Sequence, residues 1–569
     1  MYHEKIQQTK LITTYGAVGS LIETLHNGTL KILEFDRWPY YSFLLNEYVN
    51  VNNPIPPSLL VKDERLLYRI RTEKQLNYLQ GLFRLPKNKT GYNLQLVRPS
   101  NVILGEMFPK WYLCPSCRTD NLRHESQLIP AFQPSYPRCP VHPYILLDQF
   151  PFILVSESGR ICDIPWIRFI QAAADANVID FDPDDAQLYL DTLTYSSGGS
   201  AELLTTKTIR IDGGDSTSLA RLGSIRFRCG REVFKVVSRH GNNVCFIEKL
   251  SSVSVPPDFH LPANVRVILN TIFETLKHVF PEVTTDQVFQ SFVLQHPGTG
   301  VTIEQVRRHF AVKNENRWDE ETKFRSEEYR FFLNNESYDS ADSRFRKILP
   351  ESPLFSSHAI VDRLKVVHIQ SSYSRLDPAA AKNAIYTNND VKLYPAIEMY
   401  GEGIFLFYDL VKLNEYRRVN NLPASAMLSV IHTFVHSLIR ELEFHTGYSV
   451  NSMNERLYFC SDEKEEIVEA GALVYSASTA EGSYGGMATL FVEDANGRVR
   501  FSDVVEQVFV KARECPNDPV CITETISNGS KGVCYACNLL PEITCEKFNQ
   551  ELDRGRMIAY LEYVSPLIV

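Results

Sequence analysis

Five cysteines gather near the end of this sequence, Cys515, Cys521, Cys534, Cys537 and Cys545, followed by Asn549 and the run ELDR at 551–554. No other feature constrains folding as much, because a C-x2-C pair such as Cys534 and Cys537 grips one tetrahedral ion from a single turn. Cys534, Cys537 and Cys545 lie closest in sequence and are expected to supply three ligands, with Cys515 or Cys521 as the fourth and the remaining thiol a spare, buried one. All-cysteine sites are normally closed, so the expected role of the metal, zinc, is structural.

A second group has the same logic. Cys114 and Cys117 form a C-x2-C hook, and Cys139 and His142 form a C-x2-H hook after a loop. Two two-ligand hooks joined by a variable loop build a closed zinc site, which gives two structural Zn2+ sites in all. Arg118 and Arg123 beside the first hook either touch phosphate or form a solvated face, and Cys162, Cys229, Cys245 and Cys460 stand isolated as core residues.

Metal binding requires reduced thiols. The opening MYHEKIQQTK lacks the apolar segment of an export signal, and the longest apolar run, from Tyr144 to Val155, is interrupted by Asp148, Gln149 and Pro151. The expectation is therefore a cytoplasmic protein with no membrane contact, whose twelve cysteines are not disulfides. A net charge of -9 excludes a nucleic-acid binder that uses its whole surface. Any DNA contact has to be local or supplied by a partner.

At 569 residues the chain exceeds a single core. Its patterning predicts a mixed α/β (α+β), multidomain protein with zinc-knuckle modules and a helical insert. Residues 1–110 read as an N-terminal α/β region, with a hairpin turn at Asn27-Gly28, and 111–250 as a β-rich zinc module. Apolar positions at helical spacing in NVRVILNTIFETLKHVF and TTDQVFQSFVLQH make 251–390 a helical insert and linker. Residues 391–569 form a C-terminal α/β domain that carries the four-cysteine site and a long helix at 424–445.

Glu398 and Glu402 fall in YPAIEMYGEGIF, and His432 and His436 share one face of the long helix at i, i+4 spacing. These four are the candidates for acid–base or metal chemistry. Position 433 is threonine, so the helix lacks the glutamate of an H-E-x-x-H protease, and packed core histidines with buried acidic partners are the expected reading. EGSYGGM at 481–487 reads as a tight turn. The chain contains no Gly-Lys dipeptide and hence no phosphate loop of an ATP motor.

An ordered set of stretches resembles the DrmB family, accessory components of the DISARM anti-phage defence system: TTYGAVGSLIET with Trp38, FPKWYLCPSC, DIPW, VDRLKVVHIQSSYSRLDP, YPAIEMYGEGIF, IHTFVHSLIRELEFHTGYSVNSMNERLY, SYGGM, and CPNDPVC followed by CYACNLLPEITCEKFNQELDR. The sequence departs from that pattern where Ser156 and Arg160 stand in place of a Cys and a His before DIPW, and where Cys229 lacks its C-x2-C partner. One metal knuckle fewer follows from this. The resemblance implies a non-motor, non-enzymatic scaffold that partners a separate DrmA-like helicase to bind and process foreign DNA. Two other readings compete with it. One is a metal-dependent nuclease or hydrolase using Glu398, Glu402, His432 and His436, and the other a stand-alone DNA-binding zinc protein using Arg118, Arg123 and Lys531.

Overall fold

In the computed structural model the described residues run from Gly16 to Ser565, with Leu11 ahead of them, apart from 42–58, 86–103, 114–118, 131–141, 183–192, 198–206, 312–319, 479–484, 493–498 and some shorter stretches. The protein is mixed α/β, with several sheets and with helices drawn from distant parts of the chain. It forms two compact units. One comprises residues 1–61, 78–250 and 368–397, the other 62–77, 251–367 and 398–569. These units cut across the consecutive segments 1–110, 111–250, 251–390 and 391–569 that the patterning suggests. The reason is strand pairing at long range: Leu79–Arg84 lies parallel to the start of Val391–Tyr408, with Leu82 opposite Tyr394.

The first unit is built mainly of strands. Leu21–Thr24 and Gly28–Ile32 form the expected hairpin, with Gly28 at φ 69°, a left-handed conformation that glycine adopts without strain. A five-stranded sheet contains Ile161–Cys162, Phe152–Ser156, Glu232–Ser238, Arg226–Cys229 and Val178–Asp180. Against it packs an aromatic core around Trp166, whose ring meets Trp111 and Phe150 edge-on. Trp166 opens a short helix, and Asp163 just before it accepts a hydrogen bond from the Lys110 N–H at 3.0 Å. Burial pushes the Asp163 carboxyl up to about 7, with that N–H acting in the opposite direction.

The second unit is a sheet covered on both faces. Ser343–Ile348, Phe355–Arg375 up to Val367, Val391–Tyr408 from Glu398 onward, Ile467–Ser478 and Met453–Ser461 lie in that order. Side chains alternate between the faces of a strand, so the apolar run GIFLFY supplies two cores at once. Ile404, Leu406, Ala472 and Val474 pack with Val430, Phe434 and Leu438 of the helix Ala424–Thr446. Phe405, Phe407, Leu473 and Tyr475 pack with Tyr329 and Phe332 of the helix Glu320–Asn334.

Gly401 is required by close approach, since a Cβ there would meet the Ser476 carbonyl oxygen at 1.7 Å. The helix Ala424–Thr446 covers the predicted 424–445, preceded by Pro423 and ended by Gly447 at φ 76°. The insert helices Ala263–Lys277, Thr285–Gln295 and Ile303–Ala311 share a separate small core of Leu269, Val288, Phe292 and Val306. Among the described residues no helix is long and apolar enough to cross a membrane.

Candidate metal centres

After the helix Phe501–Lys511 the chain turns through CPNDPVC, and the short helix Val520–Thr523 carries Cys521. A tight turn at CYAC follows, in which the N–H groups of Cys537 and Asn538 both donate to the Cys534 carbonyl. These turns bring four thiols together. The sulfur separations are 3.6 Å for Cys515–Cys534, 3.8 Å for Cys521–Cys537 and 3.8 Å for Cys534–Cys537. A tetrahedral ion with four Zn–S bonds needs sulfurs about 3.8 Å apart, so the donor set fits zinc.

The surroundings favour thiolate. Burial raises Cys534, but the Asn517 side chain and the N–H groups of Ala536 and Cys537 outweigh it and hold this thiol below its usual value. Burial works against the charge of Arg554, but its ion pair with Asp518 at 2.5 Å, and then the nearby Cys537 and Cys521, hold the guanidinium above its usual value. It offsets part of the negative charge that four thiolates would bring.

Cys545 is not in this group. The sequence reading placed it with Cys534 and Cys537 because it is near them in the chain, and left open which of Cys515 and Cys521 joins them. Both of those are present, and Cys545 sits instead with His432, His436 and Glu455. Its Sγ is 3.2 Å from His432 Nε2, which also lies 3.0 Å from Glu455 Oε1. His436 Nε2 is 3.5 Å from Glu455 Oε2. All four side chains are buried. Burial alone would raise Glu455, yet the two histidines hold its carboxyl well below the usual carboxylate range, while burial and then Glu455 push the Cys545 thiol up. Both quartets are arrangements that can hold a metal ion.

Glu398 and Glu402, expected as partners of the histidines, are engaged elsewhere. Glu398 accepts a hydrogen bond from the Tyr400 hydroxyl at 2.7 Å and lies 4.0 Å from Lys365 Nζ. Glu402, buried, accepts from the Tyr448 hydroxyl and from the N–H groups of Gly485 at 2.8 Å, Met487 at 3.1 Å and Ala488 at 3.3 Å. It anchors the glycine-rich turn. Because hydrogen bonds to a charged group contribute about 1.5–3 kcal/mol each and these share one carboxylate, Glu402→Ala should destabilise the second unit by about 2–4 kcal/mol in urea unfolding.

The carboxylate that does meet the histidines, Glu455, was missed by sequence reasoning. Its signal was the MNERLY stretch, where a period-two reading of the strand Met453–Ser461 places Glu455 on the same face as Met453 and Leu457.

Of the first hook pair, Cys114, Cys117 and Cys139 lie outside the described residues, as does Arg118, while His142 sits half-buried in a turn. Arg123 falls in the strand Thr119–His124, and Lys531 is exposed. Where the family pattern has a further knuckle, expected to be lost here, the chain has an ion pair. Ser156 Oγ donates to Glu232 Oε1 at 2.7 Å and Arg160 lies 2.9 Å from Glu232 Oε2, and Glu232, three residues after Cys229, occupies the position of the second cysteine of a C-x2-C pair. Cys229 pairs with Glu232 across the hairpin.

A profile for a domain of unknown function, DUF8724, matches residues 7–241. A curated relative, "DISARM protein DrmB" of Bacillus paralicheniformis, is 28% identical over 246 residues, which cover 37% of this chain and 42% of the relative. The match thus takes in less than half of that relative's length. Over that part of its length, the chain is similar to a DrmB component of DISARM.

Proposed function

We propose that this chain is a non-motor scaffold subunit of a DISARM-like anti-phage system, held in shape by structural zinc, and that it partners a DrmA-like helicase to act on foreign DNA. The similarity to DISARM protein DrmB supports the system. The scaffold role is supported by one observation: of the four candidates for hydrolytic chemistry, His432 and His436 are fully buried and Glu402 is buried and committed to a turn. A nuclease needs such groups within reach of a phosphodiester and of water. The absence of a phosphate loop from the sequence leaves ATP hydrolysis to the partner.

The zinc ligands in this reading are Cys515, Cys521, Cys534 and Cys537, with Cys114, Cys117, Cys139 and His142 as a second set. DNA contact belongs to the complex, in the cytoplasm. The test is co-expression with a DrmA-like helicase, followed by affinity purification and an ATPase and DNA-binding assay. A stable complex whose ATPase activity disappears when only the helicase phosphate loop is mutated is the expected result. Failure to co-purify, together with metal-dependent DNA cleavage by the isolated chain, would replace this reading with the nuclease one.

A further inference from the structure

The quartet of His432, His436, Glu455 and Cys545 presents a hydrogen-bonding problem that two neutral imidazoles do not solve. His436 Nδ1 lies 3.0 Å from the Asn538 carbonyl oxygen, which can only accept, so Nδ1 carries a proton. In the neutral ring Nε2 is then a lone pair, and it points at Glu455 Oε2, another acceptor, at 3.5 Å. His432 Nε2 faces Glu455 Oε1, which only accepts, at 3.0 Å and the Cys545 sulfur at 3.2 Å. Three buried polar atoms of the group, His432 Nδ1, His436 Nε2 and Glu455 Oε2, make no hydrogen bond. Buried polar groups are almost always satisfied, and two of these orphans, His436 Nε2 and Glu455 Oε2, face each other at 3.5 Å beside His432 Nε2 and the Cys545 sulfur, which indicates something missing between them.

We infer that this quartet is a second, mixed-donor metal site, taking a divalent zinc-class ion through two imidazoles, one carboxylate and one thiolate. The spacing fits. Tetrahedral coordination at ordinary Zn–N, Zn–O and Zn–S lengths puts neighbouring donors about 3.3–3.7 Å apart, and the donor atoms here all lie within 4.8 Å of one another, with close pairs at 3.0, 3.2 and 3.5 Å. The charge fits as well, since a dication balances one carboxylate and one thiolate beside two neutral rings. Nitrogen, oxygen and sulfur donors together suit zinc rather than a hard oxygen-seeking ion. The Asn538 carbonyl orients the His436 ring in the way that metal-bound histidines are held by their outer partners.

Four protein ligands, all buried, leave no position for water, so the site is structural. Its place in the fold gives it a job distinct from that of the four-thiol group. The thiol group joins turns within the tail, between Cys515 and Cys537. The mixed site joins the long helix, the strand Met453–Ser461 and the turn at Cys545, where Glu455 N–H already donates to Thr544 O at 3.2 Å and Asn549 N–H to Cys545 Sγ at 3.2 Å. It bolts the tail to the core of the unit.

The competing arrangement is a metal-free imidazolium–carboxylate pair, and metal counting separates the two. In full-length protein, elemental analysis of Cys545→Ser and of His436→Ala should each show one zinc equivalent fewer than wild type. Cys534→Ser should lose a different equivalent, so that the Cys534→Ser/Cys545→Ser double variant loses two. Anomalous diffraction at the zinc edge on wild-type crystals, which needs no variant to fold, should place a peak among the four donor atoms. An unchanged zinc content in soluble Cys545→Ser and His436→Ala, or no peak at that point in the wild type, would overturn the assignment.

Discussion

Cys534→Ser is expected to cost the protein one zinc equivalent and to lower the unfolding midpoint of the second unit by more than any other single substitution in its tail. The four thiols are contributed by turns that have few apolar contacts of their own: Cys534 and Cys537 sit in a half-exposed loop, and Tyr535 between them is exposed. Without the ion, nothing of comparable strength joins CPNDPVC to CYAC. Structural zinc in small domains contributes about 10–16 kcal/mol of binding free energy, all of it folding free energy when the site does not exist in the unfolded chain.

Here the loss is smaller than that ceiling, because the tail is also tied down by Asn538, which donates to Thr433 O and Ser437 Oγ, and by Asn549, which exchanges hydrogen bonds with Leu540. Those ties contribute about 1 kcal/mol apiece. The expected result is a loss of several kcal/mol, with new tryptic cleavage after Lys531 in the variant and in chelator-treated wild type alike. A variant with unchanged melting temperature and unchanged protease resistance would mean that the thiols are packed without metal.

How the tail folds also marks how far the sequence could be read. The C-x2-C spacing is a local geometric fact, so Cys534 and Cys537 were legible as a pair. Cys545 was not, because the turn between Leu540 and Asn549 reverses the chain onto the long helix and takes that thiol out of reach of its neighbours in sequence. Helical periodicity put His432 and His436 on one face, but it carries no information about which strand that face meets. Glu398 and Glu402 were the carboxylates named and Glu455 was not, because only the pairing of Val391–Tyr408 with Ile467–Ser478 and of that strand with Met453–Ser461 decides which carboxylate arrives. The mixed α/β class was legible from the alternation of strand and helix patterns. The two interleaved units depend on contacts between residues hundreds of positions apart, which no window of sequence contains.

The same MNERLY strand supports a second large effect on its opposite face. Where Glu455 points toward the long helix, Arg456 points toward the helix Glu320–Asn334 and meets Glu328 there, Nε to Oε2 at 2.6 Å and Nη2 to Oε1 at 2.9 Å. The two side chains are 1% and 0% exposed, and the Tyr458 hydroxyl donates to the same carboxylate at 2.9 Å. Arg65 approaches it as well, Nη2 to Oε1 at 3.5 Å. Burial works against the charge of Arg456, but the Glu328 carboxylate wins and holds the guanidinium well above its usual value.

Glu328→Ala therefore leaves the buried Arg456 guanidinium without its carboxylate and takes from Arg65 one of its two, Glu327 remaining at 3.6 Å, and it should destabilise the second unit by about 3–5 kcal/mol, the range for breaking a buried pair from one side. Glu328→Leu with Arg456→Met tests the cause, because removing both charges of the bidentate pair also removes the main desolvation penalty. That double variant is expected to recover most of the loss in urea unfolding followed by a probe in the second unit, short of wild type because the Tyr458 hydroxyl loses the carboxylate it donates to. A double variant as unstable as Glu328→Ala would locate the effect in lost packing rather than in an unpaired charge.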